Sequence, residues 1–273
     1  MMMRFFEDET AEFVWAWGIT PPDLGKSRGE QAYEIFGEIE RLLAEREMTF
    51  ANVVRTWFYN DDINGWYAEF NSARTRFFES RRVFETFLPA STGIGHGNPF
   101  GAALVAGVFA MKAKGASAGA EVVKSPLQTD AMTYRSSFSR AAETHSASGR
   151  RLFVSGTASI LPDSCEVAHV GTPRRQIACA MRAALAIVVS RGMSAADVNR
   201  AIVYLKRPEY RKLWREWLDE KGLPVDFATV LDAEVCRPEW LFEVEMDAVK
   251  NDKVPYEEEM PNSSCRYDIL QAT

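Results

Sequence analysis

Histidine and cysteine are scarce, with three of one and four of the other in 273 residues. Metal centres and disulfide frameworks are built mainly from these two side chains, and here they are scattered. Cys165 and His169 stand four apart with no further ligand near them, so a zinc centre is not expected. Cysteines without paired spacing do not make a disulfide framework and fit a reducing compartment. Positive charge is also short, 32 Lys and Arg against 38 Asp and Glu. A net charge of −6 leaves no electrostatic footprint for nucleic acid or an anionic membrane. The opening MMMRFFEDET lacks the apolar core of a signal peptide and carries acids where a transit peptide avoids them. The longest apolar stretch, Phe100 to Met111, is too short and too glycine-rich to span a bilayer. STGIGHGNPFG at 91–101 is rich in glycine, but no Lys-Ser/Thr follows to make it a phosphate loop, and no G-x-S-x-G occurs. The expectation is a cytoplasmic protein without nucleic-acid or membrane partners, using no metal and no organic cofactor.

What is present is a core. An apolar content of 47% with 26% charge is that of a globular chain. The chain also repeats itself. QAYEIFGEIERLLAEREMTFANVVRTWFY at 31–59 aligns without a gap on QIACAMRAALAIVVSRGMSAADVNRAIVY at 176–204. An offset of 145 places Gln31 on Gln176, Met48 on Met193, Arg55 on Arg200 and Tyr59 on Tyr204. In each copy an apolar strand ending in glycine (FVWAWG at 13–18, LFVSG at 152–156) leads into a helix. In the first helix Ile35, Phe36, Ile39, Leu42 and Leu43 are spaced for one buried stripe. A second strand and a second helix follow. In copy two that helix opens at Pro208 and stops at Gly222. ALVAGVFAMK at 103–112 and LFEVEMDAVK at 241–250 read as closing strands. The order predicts an α+β fold of two tandem modules, each a mixed sheet with two helices on one face. The modules are placed at 1–115 and 116–252, with a Gly/Ala/Ser-rich link near 113–120 and a polar tail over 253–273.

The last strand carries an oddity. Glu243, Glu245 and Asp247 alternate with Phe242, Val244 and Met246, which puts three acids on one face. The matching strand of copy one has Val105 and Gly107 where Glu243 and Glu245 stand. Acids needed only to keep a strand face wet would be expected in both copies, with drift at a solvated face as the alternative. Glu243 is therefore a candidate for chemistry, while Glu245 and Asp247 are expected on a wet or interface-facing edge.

FEVEMDAV at 242–249 is similar to the terminal strand of the YjgF/Rid (reactive-intermediate deaminase, L-PSP endoribonuclease-like) superfamily, and each module resembles that fold. Four further segments, LPASTGIGHGNPFGAALVAG at 88–107, SPLQTDAMTYRSSFSRA at 125–141, RLFVSGTASI at 151–160 and CRPEWLFEVE at 236–245, resemble the tandem branch of chorismatases and pteridine-dependent-deoxygenase-like proteins. The resemblance implies a chorismatase-like lyase or hydrolase acting on chorismate or a similar cyclic carboxylic acid, with pyruvate release. By motif the proton donor to the enol ether falls on Glu243. Cys236 matches a cysteine of the chorismatases that form 3-hydroxybenzoate. Substrate binding would fall to Arg140, Tyr134 and Gln128, and to Ser155, Gly156 and Thr157 of the SGTAS strand end. Arg140 is expected as an exposed cleft arginine, and the family as a whole implies a homo-oligomer of trimer-like form. Two alternatives stand beside this reading: a Rid-like enamine/imine hydrolase, and a non-catalytic ligand-binding or assembly protein of the same fold. The first is weakened because neither LPASTG nor FATVLDAEVC carries the arginine that Rid deaminases use for the substrate carboxylate.

Overall fold

A computed structural model describes residues 1–252 other than 135 and 163. The polar tail expected over 253–273 lies outside the described residues. The first module comprises β1 (Met2–Glu7), β2 (Ala11–Ile19), α1 (Arg28–Ala44), β3 (Val53–Asn60), α2 (Ile63–Ser80), β4 (Ala90–Gly95) and β5 (Leu104–Ala113). The second has β6 (Gly119–Val123), β7 (Ala141–Ser146), β8 (Gly149–Ala158), α3 (Pro173–Ser190), β9 (Val198–Leu205), α4 (Arg211–Lys221), β10 (Thr229–Asp232) and β11 (Phe242–Lys250).

Sheet one runs β1-β2-β5-β3-β4, and sheet two runs β6-β7-β8-β11-β9-β10. With β6 set aside, the two orders are the same under the repeat. In both, only the last pair (β3 with β4, β9 with β10) is parallel. The expected stripe of α1 is buried residue for residue, and Ser27 with Glu30 closes a capping box at its start. At the other end of the repeat, α4 stops at Gly222, whose φ of +64° suits glycine. Pro208 differs from expectation: it opens a single 3₁₀ turn, and the α-helix begins at Arg211.

The repeated glutamines do the same work in each copy. Gln31 Oε1 accepts from the Ala103 N–H just before β5, and Gln176 Oε1 accepts from the Leu241 N–H just before β11. Each amide also donates to carbonyls of flanking loops, so a buried polar group is satisfied while it ties helix to strand.

Each module has its own core between sheet and helices. The helix-free faces of the two sheets pack on one another. Trp57 and Phe109 of the first meet Ala142 and Phe153 of the second, with the Phe109 and Phe153 rings 4.9 Å apart. That contact removes both sheet faces from water and brings the acidic face of β11 against the first module. Among the described residues, no helix is long and apolar enough to cross a membrane.

Candidate active site

A cleft of about 510 Å³, its open mouth included, lies where the modules meet. The first module contributes Tyr67 and Arg74 from α2 and Ser91 and Gly93 from β4. The second contributes Arg140, Gly156, Cys236, Arg237, Trp240 and Glu243.

Glu243 is buried, at 4% exposure. Its carboxyl rests on Gly156, where an added Cβ would come within 2.1 Å of Oε1. Burial pushes its pKa up to about 8; the negative Glu245 adds to the rise, and Arg55 and Arg140 oppose it. Near neutral pH this carboxyl holds its proton. Cys236 is pushed up to about 12, first by burial and then by the negative charge of Glu243, so it stands in the cleft as a thiol. Tyr67 of the first module and Cys236 of the second face the same cleft across the module boundary. Burial, followed by charge at Cys236, keeps the Tyr67 phenol protonated.

Of the residues singled out in the sequence, Glu243, Cys236, Arg140 and Gly156 line the cleft together. Gln128 stands behind it, donating from Nε2 to the Ala158 carbonyl at 2.8 Å. Ser155 and Thr157 spend their hydroxyls on protein. Ser155 Oγ donates to the Ser139 carbonyl and accepts from the Ser91 N–H, and Thr157 Oγ1 donates to the Ser155 carbonyl. The Gly156 N–H is committed too, to Thr92 Oγ1 at 3.0 Å. The side chain of Tyr134 lies outside the described residues. Arg140 is a correction: it is 2% exposed, with Nε and Nη2 both donating to the Thr129 carbonyl.

The acidic face is corrected as well. Glu245 and Asp247 face the interface, as one of the two expectations had it, but the edge is dry, at 0% and 3% exposure. Glu245 accepts from Arg55 Nη2 at 2.8 Å, Arg200 Nη2 at 2.6 Å and Trp57 Nε1 at 3.1 Å. Asp247 accepts from Arg200 Nη1 at 3.1 Å. Arg55 and Arg200, equivalent in the repeat, thus converge on one carboxylate of β11.

Sequence reasoning did not single out Arg74 or Tyr67. Arg74 lies 2% exposed on α2, with Phe70 one helical turn before it and Phe78 one turn after, and its guanidinium faces the rings of Phe70 and Phe138. A charge inside an apolar stripe was the available signal. Arg237 stacks on Trp240 at 4.8 Å and donates to the Cys165 carbonyl.

Residues 2–106 match the family model for "Chorismatase FkbO/Hyg5-like, N-terminal". A chorismatase crystal structure superposes with a TM-score of 0.71 at 21% identity, covering 90% of this chain and 77% of its own. The fold is that of a chorismatase. The 3-hydroxybenzoate synthase of Streptomyces hygroscopicus is 29% identical over 227 residues, 73% of this chain. The chain spans 64% of the length of that relative. The YjgF gene product of E. coli aligns with 48% of this chain and 98% of itself, at 18% identity and a TM-score of 0.37.

Proposed function

We propose that the chain is a chorismatase-like enzyme in which Glu243 protonates the enol-ether methylene of chorismate and pyruvate is released. The observation that carries this reading is a buried carboxyl, protonated near neutral pH, in a cleft that also holds three arginines. Enol-ether cleavage needs a proton delivered to carbon, which a carboxyl of ordinary acidity cannot hold ready at pH 7. Protonation turns the methylene into a methyl group and leaves an oxocarbenium-like centre. The carboxylates of the substrate would meet Arg140 from the second module and Arg74 from the first, each a planar donor suited to carboxylate.

Cys236 beside the acid favours 3-hydroxybenzoate as the second product. On that route chorismate divides into pyruvate and the aromatic acid with no net water consumed, whereas the hydrolytic route takes up one water and yields a dihydrodiol. Incubation of the purified chain with chorismate is expected to release pyruvate and 3-hydroxybenzoate in equal amounts. No pyruvate above the uncatalysed background would rule the reading out. A dihydrodiol in place of 3-hydroxybenzoate would reject only the assignment to Cys236.

Arg140→Lys is expected to weaken substrate binding about tenfold or more, since lysine lacks the bidentate fork. Because Arg140 is buried and bonded to Thr129, the melting temperature should fall as well. The pairing of a KM or Kd increase with lost stability is the signature. Unchanged affinity in a less stable variant would make Arg140 purely a structural residue.

A further inference from the structure

β8 bulges where it passes the acid. Val244 of β11 pairs with Thr157 and Met246 with Val154, so Ser155 and Gly156 together stand opposite the single residue Glu245. The bulge takes the Gly156 N–H out of the strand ladder, and a side chain of the other module receives it, Thr92 Oγ1 on β4. The same oxygen accepts from Arg55 Nη2 at 2.5 Å, the nitrogen that also holds Glu245. Both lone pairs of the hydroxyl are thereby used. Thr92 is 2% exposed and Arg55 0%, so the arrangement is sealed from water. The methyl of Thr92 and Oε1 of Glu243 press on one side of Gly156, 3.2 and 2.1 Å from the point where a Cβ would sit.

We propose that Thr92 is a positioning residue for Glu243: its hydroxyl fixes the Gly156 backbone on which the carboxyl rests, and its methyl keeps water from the carboxyl. The inference rests on the proposed role of Glu243. It assigns the first module a part in the geometry of the acid that the second module carries. The hydroxyl and the methyl act separately, so two substitutions take them apart.

Thr92→Val keeps the shape and removes the acceptor of both N–H groups. In the full chain with chorismate, kcat should fall about 10–100-fold with KM within about threefold, the pattern of a misplaced reacting group. Thr92→Ser keeps the acceptor and should hold kcat near wild type. Loss of the methyl admits water beside Glu243, so the alkaline limb of the pH–rate profile should move to lower pH. Wild-type kcat in Thr92→Val overturns the proposal, as does an equal loss in both variants with the limb unmoved. Where Thr92→Val does not fold, the limb of Thr92→Ser decides alone. Glu243→Gln in the same assay separates this inference from its premise. If that variant stays active, the acid assignment fails and the positioning role with it. If it is inactive while Thr92→Val is normal, only the positioning role fails. Titration of Glu243 by carboxyl carbon NMR, with Glu243→Gln as the reference, needs no substrate. A pKa in Thr92→Ser no lower than in wild type rejects the part assigned to the methyl.

Discussion

Glu243→Gln should lower turnover by about 10²–10⁴-fold, the cost of losing a general acid, while the fold and substrate affinity persist. Glutamine keeps the size of the side chain in a space bounded by Gly156 but has no proton to give. The same variant should be the more stable protein at alkaline pH. The pKa of Glu243 is raised in the folded state, to about 8 from an ordinary value of 4.5. Between those values the folded chain keeps a proton that the unfolded chain gives up. Stability is therefore lost as pH climbs through this window, and the loss is complete above about pH 8. Glutamine does not titrate. The melting temperature of Glu243→Gln relative to wild type should accordingly rise from pH 5 to pH 9. Asp247, raised to about 6 by burial, follows the same sense but is present in both proteins and cancels in the comparison. A flat difference across that range would mean that Glu243 is not held protonated, and wild-type turnover would remove it from the chemistry.

The largest effect on stability is expected at Arg55. Replacement by methionine leaves Glu245 buried with Arg200 and Trp57 as its remaining partners, and takes one of the two donors from Thr92. Breaking a buried ion pair from one side costs about 3–5 kcal/mol, because the charge left behind has no water to turn to. In a chain of this size that is a fall in melting temperature on the order of 10 °C. Arg55→Lys should lose less, since the charge stays while the planar Nη2 that serves both Thr92 and Glu245 is lost. Urea unfolding of both variants measures the difference. A loss below about 1 kcal/mol in Arg55→Met would show that this buried ion pair contributes little to holding the modules together.

What the sequence disclosed was periodic or repeated. The stripe of α1 and the alternation of β11 were legible because backbone geometry alone dictates which positions share a face. The doubling of Gln31 and Gln176, and of Arg55 and Arg200, was visible as identity before it had a meaning. Edge strands were harder to read. β1, MMRFFE, has no clean alternation and is fixed by the turn at Asp8, whose carboxylate accepts from the Thr10 and Ala11 N–H groups. β7 pairs with β8 through a hairpin of two intervening residues, with Gly149 at φ +103°. β6 begins at the end of the stretch read as a link, near 113–120, and runs on to Val123. In the candidate site, Glu243, Cys236 and Arg140 were legible by motif. The dryness around Glu245 was not, because its partner Arg55 is 190 residues away. Alternation shows which side chains share a face but not what is packed against that face. Tyr67 and Arg74 escaped for the same reason, being on a helix of the other module.

The meeting of Arg55 and Arg200 on Glu245 bears on whether either module could stand alone. Each module carries one arginine of the pair, but only the second holds the carboxylate that both contact. Set free, the first copy would carry an arginine with its counter-charge gone, and the second would expose an apolar face and half-satisfied acids to solvent. A charge shared across the seam makes each module depend on the other.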